Sequence, residues 1–359
     1  MSMQNQQNLN SIKGFTIIEI MVALAISAIL IGGITQVFLS LKQTNSVSHA
    51  LARMQESARI ANDIFVSDAR HIGFFGCIDP YYASDTVHVL SSDVPDHISN
   101  LATESLDGWE VDAIGWGSGD GLGDIDGSGA RNARLNSDVL RAQFLSQTQI
   151  PLSIDMSLKS SVIQLPNNIF GLKDGHIAAL GNCNDIDVFT VSSYTGDPVT
   201  ISHTTATNSS NDLSNAYTTN ESVRILLSNT YFVGETGRTN INGDTIYALY
   251  RRDVNGAIEE VVEGVENLQI LYGEEFANGS IRYVDADFAG LNKNSVTSIK
   301  IGLLIASTER VLSSADTTTY RVLNENIAQT GTTITYPNDN RLRRAVSFSI
   351  NVRNKRVEL

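Results

Sequence analysis

The sequence predicts an α+β protein: a long N-terminal α-helix, able to span a membrane with its first half, packs on a β-rich globular head with an antiparallel sheet. Three observations predict this fold class. Residues 15–41 are almost wholly apolar, and no proline precedes Pro80. The rest of the 359 residues is rich in glycine, hydroxyl and β-branched residues, which is typical of strands and turns.

Charge and composition exclude several classes of protein. The chain has 25 basic and 39 acidic residues, a formal net charge of −14 that repels phosphate and argues against non-specific DNA binding by the head as a whole. Apolar residues make up 42% and charged residues 18%, which excludes a disordered chain. Two cysteines exclude a disulfide-dense scaffold but leave room for one bridge.

The apolar run predicts a membrane-spanning helix. Ile20 to Leu41 contains no charge over 22 residues, about 33 Å of helix. A secretory signal peptide fits poorly, because the run is too long and no small-residue cleavage site follows it. A plain anchor leaves Glu19 unexplained, since a carboxylate inside a membrane costs about 2.5–3.5 kcal/mol and is retained where it finds a partner.

The junction Lys13-Gly14-Phe15-Thr16-Ile17-Ile18-Glu19-Ile20 offers such a partner. Cleavage after Gly14 creates an α-amine at Phe15, and this amine suits a buried carboxylate of a neighbouring helix. The octapeptide resembles the class III signal of type IV prepilins. The resemblance implies processing by a prepilin peptidase at Gly14 and Phe15, methylation of Phe15, and a role for Glu19 in subunit register.

The helical pattern continues beyond the apolar run, so we expect one helix to about Ala69, roughly 80 Å long. Gly32 and Gly33 are its expected weak point, since glycine costs about 1 kcal/mol in a helix. An apolar stripe that would pack on the head recurs at three- and four-residue steps: Leu51, Met54, Ala58, Ala61, Ile64 and Phe65.

Further segments resemble the PilW family of minor pilins, while residues 80–240 match little. The similar pieces are the run from Met54 to the turn Gly73-Phe74-Phe75-Gly76-Cys77, then Tyr247–Arg252, Val261–Gly273, Ile299–Ile305 and Arg343–Ile350. The resemblance implies a pilin-like fold with a leader (1–14), a transmembrane and stalk helix (15–70) and a periplasmic or extracellular head (71–359).

The same resemblance implies a non-catalytic minor pilin that takes part in type IV pilus assembly, within a priming or tip complex. Its partners would be other minor pilins and the major pilin. It would lie in the inner membrane as a single-pass protein with a periplasmic head, and later in the pilus at the cell surface. Two alternatives stay open: a minor pseudopilin of type II secretion, and a membrane-anchored periplasmic adhesin or binding protein.

The head is expected to be one α+β domain with a large insertion. Asn255-Gly256 predicts a hairpin, and Ser192–Ser222 reads as a long exposed loop. Short β-branched segments predict strands at 186–192, 222–232, 245–251, 298–307 and 345–352.

Cys77 and Cys183, 106 positions apart, are expected to form a disulfide if the head lies outside the cytoplasm. In the chain-entropy model, a disulfide that closes a loop of that size stabilises the fold by about 4–5 kcal/mol. Two separate buried thiols are the alternative.

A glycine-rich segment, Gly115–Gly129, is a candidate metal site. It has no lysine after its glycines and is therefore no P-loop. Asp124 opens a run like a calcium loop, although Leu135 replaces the usual twelfth-position Glu. Asp120, Asp124 and Asp126 are candidate Ca²⁺ ligands, with a flexible acidic loop as the alternative. No catalytic or zinc spacing involves the six histidines, so we expect no enzyme and no other cofactor.

The C-terminal segment 341–359 is locally basic, with six basic residues against one acidic residue. It is interpreted as a solvated basic edge strand, with contact to an acidic neighbouring subunit or to DNA as alternatives.

Overall fold

The computed structural model describes residues 15–79, 82–92, 94, 96–117 and 119–354. The chain divides into two compact units, with the boundary between His49 and Ala50. The helices are α1 (Ile17–Ala69), α2 (Ala83–Thr86) and α3 (Asp96–Ser99), with a 3₁₀ turn at Lys293–Ser295. The predicted fold class, a long N-terminal helix and a β-rich head, is confirmed.

The first unit contains the N-terminal part of α1. This is the one helix in the described residues long and apolar enough to cross a membrane, and no part of its most apolar window is buried in protein. The helix runs without a break through Gly32 and Gly33, where an added Cβ would meet nothing within 4 Å. Packing within the chain therefore does not require glycine there.

In the second unit, α1 lays an apolar stripe on the head. Met54, Ala61 and Phe65 are buried, while Ala58 and Ile64 pack partly buried against the same core. The ring of Phe65 lies 4.8 Å from that of Tyr231 and 6.1 Å from that of Phe348, so one side chain touches both major sheets described below.

The predicted stripe was wrong at Leu51, which is 36% exposed. Ala50 and Met54, one helical turn apart, are the buried residues at this level. Leu51 is offset by about 100° from Ala50 and lies at the flank of the stripe.

A nine-stranded sheet forms the first layer of the head, in the order β1-β7-β6-β10-β11-β12, with β3 and β4 also paired to β10 and β2 paired to β3. Its pairs are antiparallel except β1 with β7. Its strands are β1 (Val87–Val89), β2 (Leu106–Trp109), β3 (Val139–Leu145), β4 (Ile150–Pro151), β6 (Ile177–Gly181), β7 (Ile186–Thr190), β10 (Ser222–Thr239), β11 (Thr245–Arg252) and β12 (Ile258–Glu263).

A four-stranded antiparallel sheet in the order β14-β13-β15-β19 forms the second layer. Its strands are β13 (Val265–Glu275), β14 (Ile281–Val284), β15 (Val296–Arg310) and β19 (Arg341–Asn351). Apolar side chains of α1, of β3, β10 and β11, and of β13, β15 and β19 form one core. One face of the second half of α1 is thus part of the core that joins the two sheets.

Two small sheets complete the head. One comprises β5 (Ile163–Leu165), β9 (Val199–Ser202) and β8 (Ser193–Gly196), and the other β16 (Tyr320–Val322), β17 (Glu325–Ala328) and β18 (Ile334–Thr335). The second packs on β15 at Gly302, where an added Cβ would lie 2.7 Å from Val322 Cγ1. Glycine permits that close approach.

Each of the five predicted strands is present, and β10, β15 and β19 are longer than expected. The Asn255-Gly256 hairpin also forms, with Gly256 at a φ of +82° between β11 and β12. That left-handed conformation is the one that glycine adopts without strain.

The prediction of an exposed loop at Ser192–Ser222 was wrong. This stretch contains β8 and β9, and it buries Ile201, Leu213 and Tyr217 in a second core. Asn208 pairs with the backbone of Thr190 through both its side-chain oxygen and its side-chain nitrogen. Polar side chains here make internal hydrogen bonds, so a composition rich in Ser, Thr and Asn does not indicate solvent exposure.

Candidate functional site

The start of α1 is closed by a reciprocal cap between Thr16 and Glu19. The backbone N–H and the hydroxyl of Thr16 both donate to Glu19 Oε2, at 2.8 and 2.9 Å. In return Glu19 N donates to Thr16 Oγ1 at 3.3 Å. This capping box satisfies helix N–H groups that would otherwise lack a partner. Sequence reasoning missed it, although Thr-x-x-Glu before an apolar run is its signature.

The cap gives Glu19 a partner within its own chain. A carboxylate in the first turn also suits the positive end of the helix dipole. Phe15 precedes this turn and is exposed, whereas Gly14 lies outside the described residues. Processing at Gly14 and Phe15 and the register role of Glu19 stay predictions.

Asp68 anchors the last turn of α1 to the head, and sequence reasoning missed it too. It is buried, and its Oδ2 accepts from Asn229 Nδ2 at 2.6 Å and from the hydroxyl of Tyr231 at 2.5 Å. Burial, followed by the charge of Asp68, raises the pKa of Tyr231 far above its ordinary value, so the hydroxyl remains a donor. Donors are needed, since a carboxylate near a helix C-terminus opposes the dipole.

A signal for this anchor is present in the sequence. Asp68 follows Ala61 by seven residues and Phe65 by three, so it continues the apolar stripe at helical spacing. A lone acidic residue in register with a core-facing stripe predicts a buried, hydrogen-bonded carboxylate.

The turn after α1 is held by its own backbone and by Asn354. Gly73 has a φ of +72°, and its N–H donates to Gln143 O at 3.0 Å. An added Cβ at Gly73 would lie 2.8 Å from Asn354 O. Asn354 Nδ2 in turn donates to Arg70 O at 3.2 Å, one of the carbonyls at the end of the helix. Asn354, three residues after β19, thus holds the turn that follows α1.

The predicted Cys77–Cys183 disulfide is confirmed, with a Cα–Cα distance of 5.0 Å. It joins the segment after Gly76 to the tight turn between β6 and β7. Both cysteines are exposed, and they line a cavity of about 420 Å³ together with Arg224. The alternative of two separate buried thiols was wrong.

Comparison with protein families identifies both ends of the chain. Residues 9–35 match the prokaryotic N-terminal methylation motif, and residues 230–354 match the type IV pilus-assembly protein W family, PilW. The two matches support a PilW-family type IV pilin. No curated protein matches the chain. Together with the apolar N-terminal helix, the two family matches support a membrane-anchored pilin of type IV pilus assembly, and they point to a structural, non-enzymatic protein.

The residues that match PilW include a buried cluster of paired charged side chains, at a place where the sequence predicted a solvated basic edge. Arg341 and Arg343 are fully buried. Arg343 Nε lies 2.7 Å from Glu266 Oε2, and its Nη1 lies 2.8 Å from Asp339 Oδ1. Arg341 Nη2 lies 2.7 Å from Glu266 Oε1. The basic-edge expectation was wrong for these residues, because each charge is neutralised inside the head.

Asp339 keeps its negative charge inside this cluster. Burial alone would raise the pKa of Asp339, but hydrogen bonds and charge from Arg343, then from Arg341, outweigh it and lower that pKa. Arg344 on the same strand is exposed. Lys355, Arg356 and Glu358 lie outside the described residues.

In the head, the three aspartates of the glycine-rich segment contact different protein partners. Asp126 accepts from Gly115 N and Gly117 N, at 2.7 and 2.9 Å. Asp120 accepts from Trp109 Nε1 at 2.9 Å, and Asp124 pairs with Arg252 Nε at 2.6 Å.

No group of three metal-ligating side chains occurs among the residues that the structure describes. The structure does not bring Asp120, Asp124 and Asp126 together, and calcium binding by this loop stays a prediction.

A carboxyl pair joins the two main sheets. Asp138 precedes β3 and Glu110 follows β2, and their side chains are hydrogen-bonded to each other. Asp138 Oδ2 also accepts from Ile270 N of β13 at 2.6 Å. Burial, then the charge of Glu110, raises the pKa of Asp138 well above its ordinary value. We infer that Asp138 is the protonated member.

Because the folded-state pKa of Asp138 is raised, its contribution to stability is complete below the unfolded pKa and is lost as pH rises through the folded pKa. Asp138→Asn keeps an acceptor for Ile270 and a donor for Glu110 without a titrating proton. We expect the variant to match the parent near pH 4. At pH 8 it should be more stable by about 1–3 kcal/mol, the cost of a lost buried hydrogen bond.

Thermal unfolding of both proteins between pH 4 and pH 9 measures this difference. Asp112→Asn, a change at an exposed aspartate, is the control and should leave the pH profile unchanged. Parallel curves for the parent and Asp138→Asn would contradict a shared proton.

Proposed function

We propose that this chain is a minor pilin of a priming or tip complex in the type IV pilus. The proposed leader, residues 1–14, is removed, residues 15–70 hold the subunit in the inner membrane and later in the fibre, and residues 71–359 form a periplasmic and then surface-exposed head. The observation that carries the proposal is the methylation motif on an apolar helix, followed in the same chain by a PilW-family head.

The mechanism rests on helix packing and not on catalysis. The apolar side chains of residues 15–41 are exposed in the single chain, and this surface fits a membrane or a bundle of similar helices. The proposed partners are other minor pilins, the major pilin and, before assembly, a prepilin peptidase. In the bundle Glu19 pairs with the α-amine of a neighbouring subunit and sets the axial register.

Mass spectrometry of the N-terminus tests processing. We expect a mature chain that starts at N-methylated Phe15, and a Gly14→Ala chain that keeps its leader. Ser11→Ala, upstream of the junction, is the control and should be processed normally. An intact Met1 in the parent protein would instead support a plain membrane anchor.

Replacement of Glu19 tests the register role and separates it from the helix cap. Glu19→Gln retains a side chain that can complete the capping box but removes the charge. We expect both Glu19→Gln and Glu19→Ala to be processed and to fold, with incorporation into sheared pili reduced about tenfold or more, since one buried ion pair exceeds 1.4 kcal/mol.

Immunoblots of sheared pili and of membranes give the incorporated fraction. If Glu19→Gln were incorporated at the parental level while Glu19→Ala was not, the carboxylate would serve the cap alone. Recovery of the chain with a secretion apparatus in place of pili would favour the pseudopilin alternative.

A further inference from the structure

The outer edge of β19 is open along most of its length. β19 is the terminal strand of the four-stranded sheet, and among the described strands it pairs with β15 alone. Val352 N donates to Thr297 O, which lies directly opposite on β15. Every second residue before Val352 on this strand therefore also bonds to β15. The alternate residues therefore turn their N–H and C=O groups away from β15: Ala345, Ser347, Ser349 and Asn351.

These outward groups have no backbone partner among the described residues. The side chains of Ser347, Ser349 and Asn351 are exposed on the same strand. Strand edges of this kind are templates for pairing with another chain.

Three other edges of the two main sheets, at β14, β1 and β12, are protected. β14 has four residues and includes Arg282, and β1 has three residues. β12 bears Glu259, Glu260 and Glu263 along six residues. Short length and charge are the usual protections of sheet edges. By contrast, the seven residues from Ala345 to Asn351 contain no charge and no proline.

The two faces of β19 differ, which defines the strand that would pair with it. Val346 and Phe348 lie half-buried on the face that carries the α1 core. Ser347 and Ser349 lie on the opposite face, beside Lys300, which is the residue opposite Ser349 in the register. An added strand would place apolar side chains next to Phe348 and polar or acidic side chains next to Ser349.

We propose that β19 is an interaction edge that accepts an extended strand from an adjacent, different pilin subunit and so enlarges the four-stranded sheet. This inference rests on the proposed function, because that function supplies adjacent subunits. The accepted strand has at least about five residues, alternates apolar with polar side chains, and carries a polar or acidic residue beside Ser349, near Lys300. Main-chain hydrogen bonds hold it, and the alternation sets its register.

Amide hydrogen exchange with residue-level readout tests the proposal without a mutation. The full chain in detergent is compared with the full chain in a purified complex with other pilins. The N–H groups of Ala345, Ser347, Ser349 and Asn351 are expected to exchange fast in the isolated chain and about 100-fold more slowly in the complex. Val346, Phe348 and Ile350 should be protected in both, because they bond β15. Equally fast exchange of the four outward amides in the complex overturns the proposal.

Photo-cross-linking identifies the occupant. A photoreactive amino acid at Ser347 of the full chain is expected to give an adduct on a strand of another pilin. Ser349→Pro removes an outward amide and should reduce that adduct at least tenfold, whereas Ser349→Thr, which keeps the amide, should not. An adduct only to a second copy of this chain, only to lipid, or no adduct overturns the proposal.

The proposed function and this inference fail in different ways. If the chain is absent from sheared pili and from pilin complexes, the proposed function fails. If the chain is present there in normal amounts and its outward amides stay unprotected, only the strand-addition proposal fails. Ser349→Pro is checked for a parental thermal midpoint, and the exchange comparison decides the matter if that variant does not fold.

Discussion

Replacing Arg343 with methionine is expected to lower the free energy of unfolding by about 3–5 kcal/mol, because it leaves buried carboxylates without their principal cation. The guanidinium bonds Glu266 through Nε and Nη2, at 2.7 and 3.2 Å, and Asp339 through Nη1 and Nη2, at 2.8 and 2.9 Å. It also lies 4.3 Å from the ring centre of Tyr336. Methionine retains much of the apolar volume, so the loss measures the ionic contacts.

Denaturant unfolding of the full chain in detergent measures the effect. Arg344→Met removes an exposed arginine from the same strand and should change the free energy of unfolding by less than about 0.5 kcal/mol. Arg343→Lys keeps the charge but loses the two-pronged geometry, so its cost should be intermediate. A loss below about 1 kcal/mol for Arg343→Met would show that desolvation of the cluster cancels its attraction.

The parts of the fold that sequence predicts well are those with local signals. The apolar run and the stripe from Met54 to Phe65 repeat at helical spacing, and one uninterrupted helix follows. The Asn255-Gly256 hairpin depends on the two residues at its tip. The cysteine pair was predictable because the chain has only two cysteines and the prepilin-like signal predicts a head outside the cytoplasm.

Pairings between distant residues were not predictable in the same way. Arg343 meets Glu266 across 77 positions, and Asp68 meets Tyr231 across 163. Sequence shows a basic segment and an acidic residue, but burial depends on which strands become neighbours. The count of basic residues therefore predicted a solvated edge, whereas in the folded head two of these arginines are buried and paired with carboxylates.

The glycine-rich segment illustrates the same limit for the candidate metal site. Three aspartates in seven residues suggest shared oxygens. In the folded head, however, Asp126 binds backbone N–H groups and Asp124 binds Arg252, which is 128 positions away. Carboxylates serve turns and ion pairs as readily as metals, and their spacing alone does not distinguish these roles.

Removal of the disulfide is expected to cost about 2–5 kcal/mol of unfolding free energy, with about 4.7 kcal/mol as the chain-entropy value for a loop of ~100 residues. The bond closes a loop of 106 positions that contains β1 to β6, so its main effect is on the unfolded chain. Cys77→Ser/Cys183→Ser should therefore unfold at lower denaturant concentration while retaining the native sheet content.

Reduction of the parent protein is the matched control, because both cysteines are exposed and a small thiol reagent reaches them. Since the loop is opened in either case, the reduced parent, Cys77→Ser alone and the double variant should share one unfolding midpoint. The effect on unfolding is expected even though the cysteines bury little surface, because loop closure and not packing supplies the stabilisation. A double variant with the parental midpoint would contradict that account and would place the stability of residues 78–182 in their own buried cores.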